Sequence, residues 1–239
     1  SGERTFAWVH LEGLAPPWIP RAPVAEADAI LFGREFVDPA YAGPIDGSAE
    51  SLRRVHAGEI APTAADRAAL GALYDRQLAY LSAVIWTGLY ATYDFHTAPA
   101  EASETWPRTV FVLAGLNGIE LLERGAIGAT GALSDAALHV PLVLRHPDSL
   151  TGERIFDDVV GLADVAPTLL EWFRLPPLPG ARGRSLLAVT DSYVERPFPA
   201  RPAFAQLPDR GVFSVRDERW RLVWNPLRTQ PAGRPAAAG

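Results

Sequence analysis

Five histidines are the side chains in this sequence best suited to bind a metal ion or transfer protons, but their spacing suits neither task. They lie at His10, His56, His96, His139 and His146. No two share the close spacing, such as four residues along a helix, that often brings zinc ligands together. We therefore expect histidines that make structural hydrogen bonds, and no metal site within this chain.

The serines and aspartates also favour structural roles. Ser134 and Ser185 lack the Gly-x-Ser-x-Gly turn that exposes a nucleophile, and no His–Asp pair is placed to activate them. Asp157 and Asp158 fit a solvated turn better than a catalytic pair of carboxylates. Asp164 has the position of a helix cap. The sequence thus predicts no catalytic residue.

One stretch has the layout of an active-site loop without its chemistry. Residues 110–125, VFVLAGLNGIELLERG, begin as a buried strand and turn at Gly115 and Gly118. In open α/β folds, the loop at the carboxyl end of a strand is the usual place for catalytic and binding residues. Here that loop offers Leu116 and Asn117, and no ionisable side chain before Glu120.

Composition excludes several classes of protein. The chain has 239 residues, a net charge of −6 and no cysteine. The absence of cysteine excludes disulfides and thiolate sites within the chain, and the negative net charge argues against nucleic-acid binding. No apolar run approaches the ~18 residues of a membrane span, and no signal peptide is visible. The strand-like run at Thr5 starts so abruptly that we expect a processed or partial product.

The elements that would position these residues alternate between strands and helices. Residues 5–10 have the composition of a buried strand, and residues 14–62 predict a long, mostly irregular segment. A long helix should start at Thr63 with Asp66 completing a capping box, and residues 110–114 form the next strand. A strand, a helix and a strand of these lengths fit a crossover between parallel strands.

The second half predicts shorter elements. A strand is expected at residues 159–163, a helix begins near Asp164 and ends before Pro176, and the tail from Arg228 should be disordered. The remaining predictions are a short helix at 134–139, a strand at 140–145 and a hairpin with strands at 212–216 and 220–224.

The order of these pieces resembles the C-terminal half of a sulfatase of the alkaline phosphatase superfamily. The motifs that carry the resemblance, in chain order, are FAWVHLEGLAPPW, DPAYAGPIDGS, YDRQLAYLSAVI, ALSDAALHVPLVLRHP, GLADVAPTLLEWFRLPP, GRSLL and RDERWRLVWNP. The resemblance implies an α/β fold: a mostly parallel sheet sandwiched by helices, with a small C-terminal antiparallel subdomain. The implied division is residues 1–190, residues 191–226 and a tail at 227–239.

The resemblance also implies a chemistry that these residues do not provide. Active members hydrolyse sulfate or phosphate esters with a divalent metal and a nucleophile from the N-terminal half. Leu116 stands where the family has a metal-binding aspartate, and Asn117 follows it. Gly13 and Ala15 replace the aspartate and histidine of another family loop, and residues 126–132 lack the usual cation.

These replacements predict a catalytically inactive, sulfatase-like protein that serves as a structural or interaction subunit of a larger assembly. The alternative is a diverged metal-dependent ester hydrolase whose nucleophile and metal ligands lie in an absent N-terminal half. The first reading implies no cofactor, and the alternative implies Ca or Mg. The expected partners are other protein chains or that N-terminal half, with Trp18, Trp86 and Trp106 as contact candidates. Family analogy predicts a periplasmic, extracellular or membrane-associated location.

Overall fold

The computed structural model describes residues 5–18, 25–93, 108–129, 133–147, 155–190 and 200–226. Contacts divide the chain into two units, Ser1–Trp106 with Ile119–Thr130, and Pro107–Gly118 with Gly131–Gly239. Among the described helices, not even the 30-residue helix of the first unit has the sustained apolar character that a membrane crossing requires.

The first unit is mainly helical. It contains helices α1 (Ala25–Phe32), α2 (Ala49–His56) and α3 (Ala64–Tyr93), and a short antiparallel pair of strands, β2 (Glu120–Leu121) and β3 (Ile127–Gly128). Its buried core includes Ile45, Leu70 and Leu73. The helical spacing of apolar residues along α3 predicts one buried face. Leu70 and Leu73 are buried as this pattern predicts, whereas Leu78 and Val84 of the same pattern are 42% and 58% exposed.

The capping box predicted for α3 is present. The Thr63 backbone N–H donates to Asp66 Oδ2 at 2.8 Å, and the Asp66 N–H donates to Thr63 Oγ1 at 3.2 Å. Tyr41 also donates from its hydroxyl to Asp66 Oδ1 at 2.7 Å. The start of α3 is therefore tied to the segment that precedes α2.

The second unit combines small antiparallel sheets with short helices. Strand β1 (Phe111–Ala114) pairs with β4 (Leu142–Arg145), and β5 (Ala203–Leu207), β6 (Val212–Arg216) and β7 (Arg221–Trp224) form a three-stranded sheet in that order. The helices are α4 (Asp135–Leu138), α5 (Val165–Trp172) and α6 (Leu187–Thr190). The predicted hairpin is therefore confirmed, with a third strand, β5, that the sequence did not suggest.

Mixed helix and strand content is confirmed, but a large parallel sheet is not seen. Every strand pairing in the described part of the chain is antiparallel, including β1 with β4. Residues 5–10 were predicted as a strand, yet they form no strand and leave Phe6 and Trp8 76% and 72% exposed. A strand-forming sequence needs a neighbour with free backbone groups, and the described residues do not provide one here.

Two other local predictions met different outcomes. The described part of residues 14–62 is mostly irregular, as predicted, but it also contains α1 and α2. Ser48 caps α2 by accepting from the Ser51 N–H at 3.2 Å. Residues 159–163 form no strand; a 3-10 turn, Leu162–Asp164, leads directly into α5. The predicted tail at 227–239 lies outside the described residues, and the division at residue 190 stays a prediction.

Candidate functional site

The loop after β1 keeps the shape that an active-site loop would need. The Gly115 N–H donates to the Pro141 carbonyl at 2.9 Å, and the Gly118 N–H donates to the Ala137 carbonyl at 2.8 Å. A Cβ atom on Gly118 would lie 1.9 Å from the Ala136 carbonyl oxygen. Only glycine therefore allows the loop to sit this close to α4.

The side chains of this loop do not offer metal or acid–base chemistry. Leu116 is 56% exposed, so its isobutyl group faces solvent instead of filling a core. The exposed Asn117 donates from Nδ2 to the Gly118 carbonyl at 3.1 Å, which leaves its amide oxygen as the polar atom that could bind a ligand. Glu120, the next acidic residue, is buried in β2 of the first unit and does not belong to the loop.

The loop predicted around Gly13 and Ala15 belongs to the first unit. Gly13 has a φ of +132°, a conformation that side-chain-bearing residues rarely adopt, and Ala15 is exposed. The loop is anchored by Trp18, whose Nε1 donates to the Leu14 carbonyl at 3.0 Å and whose ring meets Tyr74 edge-on.

The three tryptophans named as contact candidates differ in their surroundings. Trp18 is buried in the first unit, whereas Trp86 is exposed on α3. Trp106 lies outside the described residues. Of the predicted sulfate-contact segment 126–132, the structure describes residues 126–129, where Ile127 is buried and Gly128 has a φ of +85°.

The described histidines lie beside backbone, aromatic or acidic groups of the chain. His56 Nε2 lies 3.0 Å from the Ile127 carbonyl oxygen, the His146 ring stacks on Trp172 at 5.1 Å between ring centres, and His139 ends α4. His10 Nε2 lies 3.7 Å from Glu12 Oε1, and His96 is outside the described part. Within the described residues, no three histidine or carboxylate side chains come together as a metal site would require.

The serines have structural partners. Ser134 Oγ accepts from the Ala137 N–H at 3.3 Å and caps α4. Ser185 Oγ accepts from the Leu187 N–H at 3.2 Å at the start of α6. Both hydroxyls accept from helix N–H groups, which is a structural role.

Asp164 has a larger role than the predicted helix cap. It is fully buried, and its Oδ2 accepts from the Gly161 N–H at 2.9 Å, as a cap would. Its Oδ1 also accepts from the Arg184 N–H at 2.7 Å and from the Arg201 guanidinium. One carboxylate thus joins three segments that are far apart in sequence, a function that no local pattern reveals.

A polar groove of about 420 Å³ lies beside this cluster. Its lining includes Arg184, Arg201, Arg219 and Trp220, but also the carboxylates of Asp158, Asp217 and Glu218. Burial, together with nearby Arg201, lowers the pKa of Arg184. Because acidic and basic side chains are balanced around the groove, its charge does not select one class of ligand.

The residues at the position where the resemblance implies a metal site do not fit a divalent cation. Calcium and magnesium bind through several oxygen ligands, mostly carboxylates. Leu116 provides none, and Asn117 provides one amide oxygen. A cation could be held at this loop only if other parts of the protein supplied most of its ligands.

Comparisons with known proteins found structural similarity without sequence similarity. No family model and no curated protein matches the chain. A phosphonate monoester hydrolase from Silicibacter pomeroyi matches 88% of this chain and 42% of its own, with 21% identity and a TM-score of 0.58. The phosphonate monoester hydrolase of Agrobacterium radiobacter matches 86% and 41%, with 20% identity and a TM-score of 0.54.

A third structure, solved with its substrate D-glucosamine-2-N,6-O-disulfate, matches 74% of this chain and 36% of its own, with 16% identity and a TM-score of 0.51. This chain therefore spans about two fifths of the length of the structures it matches. The fold of this chain is similar to part of the fold of these hydrolase structures, in agreement with the resemblance seen in the sequence. The match is consistent with a C-terminal portion of such a protein.

Proposed function

We propose that this chain is a catalytically inactive, sulfatase-like part of a larger protein assembly, in which it has a structural or interaction role. The observation that carries the proposal is the loop after β1. Gly118 still holds the loop against α4 through the Ala137 carbonyl, while Leu116 occupies the position where the resemblance implies a metal-binding aspartate. The backbone support has been retained and the ligand has been lost.

Two further replacements support the same proposal. Gly13 and Ala15 carry no side-chain oxygen or nitrogen, so neither can bind a cation or an ester oxygen through its side chain. Leu116 would moreover put a branched apolar group beside any ion at this loop and hinder the water that hard cations retain. The implied site thus has three replaced positions, Leu116, Gly13 and Ala15, and none of the three side chains has a ligand atom. One compensating substitution elsewhere could not restore three ligands.

An interaction role is supported by apolar segments that face solvent. Phe6, Trp8 and Val9 lie on a chain segment with strand-forming sequence and are all exposed, as is Trp86 on α3. Unpaired apolar strands promote aggregation unless another segment covers them. We infer that polypeptide outside residues 1–239, or another protein chain, pairs with residues 5–10 and completes the larger parallel sheet expected of this fold. The proposal includes a periplasmic, extracellular or membrane-associated location.

The test is the activity and metal content of the protein as purified from its source. Chromogenic esters of sulfate, phosphate diester and phosphonate monoester should show no hydrolysis above buffer, with or without added calcium, magnesium or manganese. Native mass spectrometry should find a larger particle without a bound divalent cation. Hydrolysis that disappears on chelation and returns with the metal would refute the proposal.

The second candidate is a metal-dependent ester hydrolase completed by other parts of the protein. It is favoured by the exposed amide of Asn117 and by the names of two structural neighbours, which are phosphonate monoester hydrolases. On this reading, Asn117→Ala should reduce turnover and metal content together. Leu116→Ala is the matched control, because it removes a neighbouring exposed side chain that has no ligand atom and should leave both unchanged.

A further inference from the structure

The loop after β1 contains the one Asn-Gly pair of the sequence, Asn117 and Gly118. Asparagine is a chemically labile side chain in water, and it reacts fastest when glycine follows it. The reason is steric, because glycine has no Cβ atom to hinder its backbone nitrogen when that nitrogen attacks the asparagine side chain. The other asparagine of the sequence, Asn225, precedes Pro226, whose nitrogen carries no hydrogen and cannot close the same ring.

The reaction at such a pair needs no reactant besides water. The Gly118 nitrogen bonds to Asn117 Cγ and loses its proton, while the bond from Cγ to Nδ2 breaks and ammonia leaves. Water then opens the resulting succinimide ring. Breaking the new bond to Cγ gives aspartate, whereas breaking the original peptide bond gives isoaspartate, whose main chain runs through the former side chain and is longer by a carbon atom. Either product has a carboxylate in place of the neutral amide.

The side chain of Asn117 is placed to react. It is exposed, so the water that opens the ring can reach it. Its Nδ2 donates to the Gly118 carbonyl at 3.1 Å, and the amide group therefore lies along the residue whose nitrogen attacks it. A side chain that pointed away from Gly118 would first have to rotate about its own bonds, and here that step is already made.

The backbone of Gly118 is held in a way that prevents the reaction. Its N–H donates to the Ala137 carbonyl at 2.8 Å, so the proton that must leave is directed at α4 and not at water. A Cβ atom on Gly118 would lie 1.9 Å from the Ala136 carbonyl oxygen, which shows how closely this residue packs against α4. The attacking nitrogen is therefore available only when the loop separates from α4.

We propose that Asn117 is a deamidation site whose rate is set by the contact between Gly118 and α4. The amide persists while this contact is closed, and each local opening frees the Gly118 nitrogen to react. The loop after β1 thereby gains a carboxylate at a position where the sequence has an amide, and the longer main chain of isoaspartate displaces Gly118 from Ala137. This inference concerns the loop backbone and does not depend on whether the complete protein is active.

The test is the rate of deamidation in the complete protein as isolated from its source. Folded protein and protein unfolded in urea are kept at the same neutral pH, and peptide mass spectrometry follows the replacement of NH₂ by OH at Asn117. The folded protein should react at least about tenfold more slowly, which corresponds to about 1.4 kcal/mol in the opening equilibrium. Equal rates would overturn the proposal, and so would an Asn117 that stays intact in the unfolded chain. Asn225 should remain unchanged in both samples.

Two serine variants separate the contact with α4 from general stability. Ser134→Ala removes the acceptor of the Ala137 N–H, so α4 loosens and folded protein should deamidate about fivefold faster, or about 1 kcal/mol in the opening equilibrium, the usual worth of a helix cap. Ser185→Ala, the matched control, removes a similar acceptor at the start of α6 and should leave the rate unchanged. An equal effect of both variants would assign the rate to global unfolding, and no effect of either would assign the protection to a covering chain. Each of these results would overturn the proposal.

Hydrogen exchange of the Gly118 N–H is a second measurement that needs no variant. The same opening exposes this N–H to water, so its exchange should also be at least about tenfold slower in the folded protein than in the unfolded chain. Exchange at the rate of the unfolded chain would show that the contact with Ala137 is not maintained, and it would overturn the proposal even if deamidation were slow.

Discussion

Replacing Asp164 with asparagine should destabilise the second unit more than any other single polar substitution discussed here. Asp164 is fully buried, and its two oxygens accept from the Gly161 N–H, the Arg184 N–H and the Arg201 guanidinium. Its own carbonyl accepts from Thr168 Oγ1 at 2.6 Å, and that hydroxyl accepts from the Leu186 N–H at 2.8 Å. Asparagine keeps the shape of the side chain but removes the charge and one acceptor.

The magnitude follows from these contacts. The asparagine oxygen can accept from one of the two backbone N–H groups, but its NH₂ group faces the other, and an unsatisfied buried donor costs about 1–3 kcal/mol. Arg201 loses its counter-charge, although its side chain is 34% exposed and water recovers part of that loss. Breaking a buried ion pair costs about 3–5 kcal/mol, so we expect about 3 kcal/mol here, at the lower end.

Equilibrium urea unfolding followed by circular dichroism measures this change. With a slope of about 3 kcal/mol per molar urea, the midpoint should fall by about 1 M for Asp164→Asn. Asp158→Asn is the matched control, because it makes the same chemical change in the neighbouring groove and should shift stability by less than about 0.5 kcal/mol. Equal stability of the two variants would refute the idea that Asp164 joins the three segments.

Three other predictions test the loop after β1 and the start of α3. Gly118→Ala should lower the free energy of unfolding by about 2–3 kcal/mol, because its Cβ would meet the Ala136 carbonyl. Gly71→Ala on α3, where a Cβ would enter open space, should raise it by roughly 0.5–1 kcal/mol. A similar effect of both substitutions in urea unfolding would contradict the close contact at Gly118. Burial, and then the hydrogen bond to Asp66, raise the pKa of Tyr41 from 10.0 to about 12. Folding therefore favours the protonated hydroxyl, and the stability that this preference contributes is complete below pH 10 and is lost as the pH rises toward 12. The urea midpoint should therefore fall between pH 10 and pH 12, and Tyr41→Phe should remove part of the fall; an unchanged fall would assign it to other groups. Leu116→Asp should leave stability within about 0.5 kcal/mol, since the side chain is exposed, and should create no metal-dependent hydrolysis; the appearance of turnover would show that the remaining ligands are already in place.

Local signals were sufficient for several elements. Thr63 and Asp66 predicted the start of α3, the apolar spacing after them predicted the buried face of its first turns, and Ser134 predicted the start of the short α4. Each of these rests on hydrogen bonds or packing between residues a few positions apart, which sequence spacing encodes directly. The hairpin of β6 and β7 belongs to the same group.

Non-local pairing could not be predicted in the same way. The apolar residues at 5–10 have strand character, but a strand forms only when a neighbour supplies backbone partners, and no described residues do so here. The strand β5 was missed because its alternation places aromatic and polar side chains on the solvent face. The direction of the β1 and β4 pairing likewise depends on chain connections that periodicity does not specify.

The candidate site divides along the same line. The sequence alone determined which side-chain groups are available. Leu116, Gly13 and Ala15 exclude side-chain ligands at those positions whatever the fold, because none of these side chains has an oxygen or nitrogen atom. Only the tertiary structure decided that Gly118 is held against α4, that Asp164 joins segments as distant as Gly161 and Arg201, and that an aromatic sheet face points outward. Those features depend on residues brought together across long stretches of chain, and the free energy of that packing, not local preference, sets them.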